Sequence, residues 1–180
     1  MGDSGIELNK NPIKWEKVGY FLMALLKGEY QATLDDKGRV SIPARFREGI
    51  PNNVLILSKG MFESCIWAFT PENQEKVTEN LRNFWSNNSN VPMTLRQKDM
   101  FEHRVSFFTS EVEIDKTGRI MIPQKFRDYA GLVRDCIVTS DGFRIEIWDT
   151  RLHAEYEQRV EEENEALLEK IDGHLDFKLN

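Results

Sequence analysis

Short alternations of apolar and polar residues recur along this chain and are typical of half-buried β-strands. Where apolar residues follow one another without a break, as at 54–57, the pattern predicts a strand buried on both faces. Eight segments are predicted as strands: 29–34, 39–42, 54–57, 65–69, 112–114, 119–122, 136–139 and 143–148. Turn residues join successive strands, so we expect local hairpins, including pairing of 29–34 with 39–42 and of 112–114 with 119–122.

Apolar residues at helical spacing predict the longer helices. Three of these are expected: one over 71–85, one over 94–108 and one that begins after Thr150. Thr70 and Pro71 suit the N-cap and the first position of the first helix. A polar break at 86–90 separates the first helix from the second.

A phrase of fourteen residues occurs twice in the sequence, at 35–48 and at 115–128. Seven of the fourteen aligned positions are identical, whereas unrelated segments would share roughly one. The phrase is therefore an internal repeat, and each copy predicts a charged tight turn, a strand and a short basic helix.

Each copy has the residue types that a tight turn requires. Gly38 and Gly118 stand where the backbone needs a positive φ, and Asp35 and Asp115 can accept hydrogen bonds from the turn amides. In each copy a proline then ends the strand and suits the first turn of a helix.

The short helix after each proline is predicted to be amphipathic. Phe46 and Phe126 are expected on its inner face. Four cations are expected on its outer side: Arg45, Arg47, Lys125 and Arg127. Four such cations are equally expected as ordinary surface residues and as residues that contact phosphate.

The net charge of −6 at first disfavours a nucleic acid as the partner. Residues 151–180, however, hold nine acids and four bases, which leaves residues 1–150 near neutral at −1. The repeated phrase concentrates basic residues: Lys37, Arg39, Arg45, Arg47, Lys116, Arg119, Lys125 and Arg127. Charge close to a phosphate outweighs distant charge, because salt screens the latter.

Arg39 and Arg119 follow the two turns and allow two interpretations. In the simpler one, each arginine pairs with Asp35 or Asp115 and only fixes the turn, which contributes about 0–1 kcal/mol. In the other, the aspartate orients the arginine and leaves guanidinium donors free for a phosphate or a guanine edge.

The Asp-x-x-x-Arg signature of both copies, followed by Ile-Pro and a short helix, resembles the MraZ proteins of bacteria, which are relatives of the AbrB and SpoVT swapped-hairpin proteins. Gly28, Glu29 and Tyr30 are similar to the N-terminus of that family, and the resemblance spans roughly residues 23–160. It implies an α+β fold, mainly β with helices, in which two tandem AbrB-like hairpin units form one pseudo-two-fold barrel.

The resemblance also implies a function. Such proteins are cytoplasmic, associate with the nucleoid and form ring-shaped homo-oligomers. They regulate the division and cell-wall gene cluster, usually as repressors, through repeated boxes in promoter DNA. The implied DNA-binding residues are Asp35, Lys37, Gly38, Arg39, Arg45, Arg47, Asp115, Lys116, Gly118, Arg119, Lys125 and Arg127. The expected contacts between subunits are apolar helix faces: Phe84, Leu95, Leu152 and Tyr156.

The predicted organisation has five parts. These are an N-terminal extension over 1–22, a first AbrB-like unit over 28–71, a helical connector over 72–109, a second unit over 110–150 and an acidic C-terminal helix and tail over 151–180. The extension matches nothing in the repeat, so we expect it to be disordered or not native. Met1 and Met23 both stay open as translation starts.

Other chemistry receives little support from the sequence. Cys65 and Cys136 lie in apolar runs and are expected to be buried, inert thiols. His103, His153 and His174 have no metal-ligand spacing with one another. No phosphate loop, dinucleotide fingerprint or nucleophile elbow occurs, so we expect no enzyme activity, cofactor, metal, small-molecule ligand or membrane partner.

Two other classes of protein stay open. A ring-forming structural scaffold is favoured by the apolar connector helices and the acidic surface. An AbrB-type antitoxin shares the hairpin motif, but such proteins usually have one hairpin unit and a disordered tail, whereas this chain has two units and a helical C-terminal pattern.

Overall fold

The computed structural model describes residues 27–87, 94–106 and 108–172. The strands in these residues are β1 Lys27–Thr33, β2 Arg39–Ser41, β3 Val54–Lys59, β4 Ile66–Phe69, β5 Ser110–Glu113, β6 Arg119–Met121, β7 Asp135–Asp141 and β8 Ile145–Asp149. The α-helices are α1 Ala44–Arg47, α2 Pro71–Asn87, α3 Leu95–Ser106, α4 Gln124–Ala130 and α5 Thr150–Asp172. The predicted α+β fold, mainly β with helices, is confirmed.

The strands are exchanged between the two repeats. Six form an antiparallel sheet in the order β1-β7-β8-β4-β3-β5, and β2 pairs with β6 in a separate two-stranded ribbon. The expected hairpins β3–β4 and β7–β8 are present. The sheet's edge strands, β1 and β5, each run into a motif turn that leads to the ribbon.

The predicted pairing of 29–34 with 39–42, and of 112–114 with 119–122, is wrong. β1 pairs with β7, and β5 pairs with β3. Within each repeat the two strands are joined at the turn, where the Asp35 amide donates to the Arg39 carbonyl (2.9 Å) and Asp115 donates to Arg119 (2.8 Å). The physical reason is size: a unit of about forty residues cannot bury a core alone, so its strands pair with the other unit.

The internal repeat has a pseudo-two-fold counterpart in the burial pattern. Each position from 31 to 50 is buried, half-buried or exposed like the position 80 residues later. Phe46 and Phe126 are fully buried, as predicted for the inner faces of α1 and α4. Both rings belong to one apolar core that includes residues of both repeats.

Helix α2 begins at the predicted cap, whereas α5 begins at Thr150 itself and not after it. The Thr70 hydroxyl accepts a hydrogen bond from the Asn73 amide at 3.2 Å. Thr94 and Gln97 form a reciprocal capping box: the Thr94 amide donates to Gln97 Oε1 at 2.8 Å, and the Gln97 amide donates to Thr94 Oγ1 at 3.3 Å. Helix α2 includes the first two residues of the predicted break at 86–90, and the rest of the break lies outside the described residues.

The C-terminal helix α5 packs on the second unit through aromatic side chains. Tyr156 stacks on the buried Trp148 with ring centroids 4.9 Å apart. Trp67 is half-buried, and its ring centroid lies 4.4 Å from Cζ of Arg144. Along the described ranges, no helix has both the length and the apolar character needed to cross a bilayer.

Both cysteines have the predicted state. Cys65 and Cys136 are free and buried. Burial raises the pKa of both thiols, to about 11 for Cys136. A thiol with a raised pKa holds little thiolate at neutral pH, which fits inert core residues.

Phe126→Ala should lower the free energy of unfolding by about 3–5 kcal/mol, because it removes a fully buried ring from the shared core. Phe62→Ala is the matched control, since Phe62 is 83% exposed and the same change there should cost under about 0.5 kcal/mol. Urea denaturation followed by circular dichroism measures both. Equal losses would contradict this assignment of the core.

Candidate nucleic-acid interface

The β2–β6 ribbon places the two motif arginines on one surface. Val40 lies directly opposite Ile120 at its centre, and both side chains are fully buried. Successive side chains alternate across a strand, so the preceding Arg39 and Arg119 lie on the opposite, outward face. Each arginine is half-buried. The same face also carries Ser41 and Met121, which are exposed.

The first turn is organised by the carboxylate of Asp35. Its Oδ1 accepts hydrogen bonds from the amides of Lys37 (3.0 Å) and Arg39 (2.9 Å). Its Oδ2 accepts from Nε of Arg39 at 2.8 Å and lies 2.7 Å from Nη2. Gly38 has a φ of 76°, which the turn requires and which other residues adopt at a cost. Asp35 therefore fixes both the turn and its arginine.

The second turn has the same geometry with one added donor. Asp115 Oδ1 accepts from the amides of Thr117 (2.8 Å) and Arg119 (3.0 Å), and also from the Thr117 hydroxyl (2.6 Å). Asp115 Oδ2 accepts from Nε of Arg119 at 3.2 Å. Gly118 has a φ of 83°. The first turn has a lysine in place of Thr117, so it lacks this hydroxyl donor.

An ion pair connects the two turns. Nη1 of Arg119 lies 3.7 Å from Asp35 Oδ2, so the carboxylate of the first turn is near both arginines. The hydrogen bond from the Arg39 side chain is the main cause that lowers the pKa of Asp35 to about 2, and Asp35 in turn raises the pKa of Arg39. The hydroxyl of Thr117 is the main cause that lowers the pKa of Asp115.

These pKa values set a pH window for the turns. The folded-state pKa of Asp35 lies below the value of about 3.9 expected in the unfolded chain. Its charged form therefore stabilises the fold at every pH above about 4, and this contribution is lost as the pH falls towards about 2. The lowered pKa of Asp115 acts in the same direction. Both turns thus keep their ion pairs at neutral pH.

The prediction that Arg47 and Arg127 lie on the outer side of the short helices is wrong. Both are half-buried, and each guanidinium lies over the glycine of the other repeat's turn. A Cβ atom on Gly38 would lie 2.8 Å from Cζ of Arg127, and one on Gly118 would lie 2.8 Å from Cζ of Arg47. Helical periodicity distinguishes the faces of α1 and α4 but cannot show that a turn from elsewhere in the chain covers one of them.

The remaining predicted basic residues lie in the two turns and on the two short helices. Lys37 and Lys116 are exposed in the turns, and Arg45 and Lys125 are exposed on α1 and α4, as predicted for the outer sides of these helices. The structure thus brings the two motif turns together at the ribbon, with Arg47 and Arg127 against their glycines.

Two other features were not predicted. A cavity of about 250 Å³ is lined by α2 and the β7–β8 turn, but its cations are neutralised, with Lys76 2.7 Å from Glu72 and Arg144 2.7 Å from Glu146. Potential metal-ligand atoms of three side chains also lie within 4.8 Å of one another: Glu29, His153 and Glu157. Sequence spacing could not reveal this cluster, because β1 and α5 are far apart in the chain.

A family model described as "MraZ protein, putative antitoxin-like" matches residues 25–97 and 107–172 of this chain. The transcriptional regulator MraZ of Treponema denticola is 32% identical over 152 residues, which cover 84% of this chain and 100% of that protein. The protein of the same name from Acetivibrio thermocellus is 37% identical over 147 residues, covering 80% of this chain and 94% of that protein.

A third relative, the transcriptional regulator MraZ of Natranaerobius thermophilus, is 34% identical over 155 residues and covers 86% of this chain and 100% of its own. Among solved structures, the solution structure of PHS018 from Pyrococcus horikoshii is 17% identical and covers 68% of this chain and 87% of that chain. Its TM-score of 0.25 is too low to support a structural argument.

Thr117→Val should raise the pKa of Asp115, because it removes the hydroxyl donor that contributes most to lowering that pKa. Carbon-detected NMR titration of the carboxyl groups measures the change. Asp35 is the internal control, since its turn has no such hydroxyl and its pKa should stay at about 2. An unchanged pKa of Asp115 in the variant would show that the Thr117 hydroxyl does not stabilise the charged carboxylate.

Proposed function

The chain belongs to the MraZ family, and we propose that it is a sequence-specific transcriptional regulator that binds double-stranded promoter DNA through its two motif turns. One observation carries the proposal: Arg39 and Arg119 share the outward face of a single ribbon, each held by the aspartate of its turn. The relatives named as transcriptional regulators support the same functional class.

The geometry of the ribbon suits a duplex. A two-stranded antiparallel ribbon fits into the major groove of B-DNA, where an arginine can donate two hydrogen bonds to a guanine. Asp35 engages Nε and Nη2 of Arg39, while Nη1 of Arg39 has no hydrogen bond or ion pair within the described residues. We propose that Arg39 and Arg119 contact base edges or nearby phosphates.

The cations around the ribbon would supply affinity without sequence information. Lys37 and Lys116 are exposed in the turns, Arg45 and Lys125 are exposed on the short helices, and we assign all four to phosphate contacts. Such contacts release counterions and make binding fall with salt. This local positive charge would permit DNA binding by a chain whose net negative charge lies mostly in its last thirty positions.

The proposed target and effect follow from the family resemblance. We propose that the protein binds repeated short boxes upstream of the division and cell-wall gene cluster, that it acts as a repressor there, and that it is located at the nucleoid in the cytoplasm. A mobility-shift experiment with the DNA upstream of its own gene, against scrambled DNA, tests the target directly.

We also propose that the protein assembles into a ring. Phe84 at the end of α2 is 45% exposed, and Leu95 at the start of α3 is 85% exposed, which leaves apolar surface for a second copy. Leu152 and Tyr156, expected at the same contact, are half-buried, and Tyr156 stacks within its own chain. The connector helices are therefore the proposed contact between subunits.

An antitoxin role is the second candidate, because the description of the matching family model includes the term antitoxin-like. The AbrB-type antitoxins to which the motif was compared usually have one hairpin unit, whereas both units of this chain contribute to one core. Co-purification of a stoichiometric toxin, together with equal affinity for promoter and scrambled DNA, would favour the antitoxin over the regulator.

Arg39→Ala and Arg119→Ala should each weaken binding to promoter DNA by about 1–3 kcal/mol, because each removes a guanidinium from the outward face of the ribbon that we assign to the duplex. Fluorescence anisotropy with promoter and scrambled duplexes measures the loss, and circular dichroism checks the fold. Lys37→Ala is the contrasting variant: it should lower affinity for both duplexes and reduce the salt slope by about 1. Wild-type affinity in both arginine variants would refute the proposed contacts.

Phe84→Glu should dissociate the proposed ring, because it places a charge in an apolar contact between subunits. Loss of assembly should weaken binding to DNA with several boxes by about 10²- to 10⁴-fold more than to one box, since linked contacts act as intramolecular ones. Light scattering gives the mass, and anisotropy on one-box and multi-box duplexes gives the affinities. A wild-type monomer, or a monomeric variant with undiminished multi-box affinity, would contradict the proposal.

A further inference from the structure

Two arginines of the repeated phrase lie against the turn of the opposite repeat rather than their own. The guanidinium of Arg127 occupies the space where a side chain on Gly38 would be, and that of Arg47 occupies the same space at Gly118. Both glycines also have positive φ values, 76° and 83°. Each turn therefore has a glycine for two reasons: its backbone conformation and the guanidinium that covers it.

The buried atoms of these arginines indicate that the contact is a fixed part of the fold. Nε of Arg47 and Nε of Arg127 are both buried and have no hydrogen-bond partner within the described residues. An exposed arginine would leave this group in water, and burial without a partner is unfavourable. The same placement occurs in two repeats that differ at half of their aligned positions, so it is not a peculiarity of one turn.

Main-chain hydrogen bonds hold the same glycines from the opposite repeat. The amide of Ile42 donates to the carbonyl of Gly118 at 2.8 Å, and the amide of Ile122 donates to the carbonyl of Gly38 at 2.9 Å. Each motif turn is thus fixed by a strand amide and covered by a guanidinium, and both come from the other half of the chain.

We propose that Arg47 and Arg127 are positioning residues for the opposite turns. Arg127 holds the first turn, which carries Arg39, and Arg47 holds the second, which carries Arg119. They act through the shape of the turn, not primarily by contacting phosphate. This inference rests on the proposed DNA-binding function, because it assigns the two arginines to the geometry of the surface that meets the duplex.

Double-mutant cycles on affinity for the promoter duplex test the crossed assignment. Arg47→Ala and Arg127→Ala should each weaken binding on the order of 10-fold. Combined with Arg119→Ala, the Arg47→Ala change should cost less than the product of the two single losses, because both act at the second turn. When Arg47→Ala is combined with Arg39→Ala, affinity should fall by the full product of the two single fold-losses. Arg127→Ala should couple with Arg39→Ala and be independent of Arg119→Ala.

The proposal would be overturned if Arg47 coupled with Arg39 and Arg127 with Arg119. It would also be overturned if the single losses of affinity multiplied fully in all four double variants. Arg47→Lys and Arg127→Lys then separate shape from charge. Lysine keeps a charge that binds phosphate but lacks the planar guanidinium that covers the glycine. The lysine variants should therefore lose as much affinity as the alanine variants. Recovered binding would assign the arginines to direct phosphate contact instead.

Hydrogen–deuterium exchange of the DNA-free protein distinguishes failure of this inference from failure of the proposed function. Arg47→Ala should accelerate exchange at 116–119 more than at 36–39, and Arg127→Ala should do the opposite. If the crossed pattern appears but the wild type binds no DNA, the proposed function fails and the crossed contact stands. If each variant loosens its own turn, or neither turn, the inference is wrong.

Discussion

The pairing of β2 with β6 joins the two halves of the chain through the strands of the repeated phrase. Val40 and Ile120 meet at its centre, and both are fully buried. Neither repeat could bury these side chains alone, since a unit of about forty residues has too little interior. The same pairing brings the two turns side by side and places Arg39 and Arg119 on one outward face. The apolar requirement of the core therefore determines the geometry of the charged surface.

The symmetry of the backbone does not extend to the chemistry of the turns. The first turn contains Lys37 where the second contains Thr117, and only the second adds a hydroxyl donor to its carboxylate. The short helices differ too, because Gln124 accepts a hydrogen bond from Arg127 while the corresponding position before Arg47 is Ala44. Asp35 lies close to both motif arginines. One scaffold thus presents two similar turns with unequal local electrostatics.

Local patterns in the sequence predicted much of the fold and the site. Alternation and helical spacing identified the strands and the longer helices, and the residue types at the start of α2 identified its cap, Thr70. The repeated phrase identified the turns and their arginines. The partners of β1 and β2 could not be predicted in this way, because alternation shows which face is buried but not which strand lies alongside. The places of Arg47 and Arg127 follow from that exchange, and so they were missed for the same reason.

One surface, built by both repeats, is proposed to meet the duplex. Hydrogen–deuterium exchange of the wild-type protein with and without promoter DNA tests it most directly. We expect protection of the amides at 35–41 and at 115–121 together, with exchange on the outer face of α5 unchanged. Protection confined to one turn, or located on α2 or α5 instead of the ribbon, would contradict it.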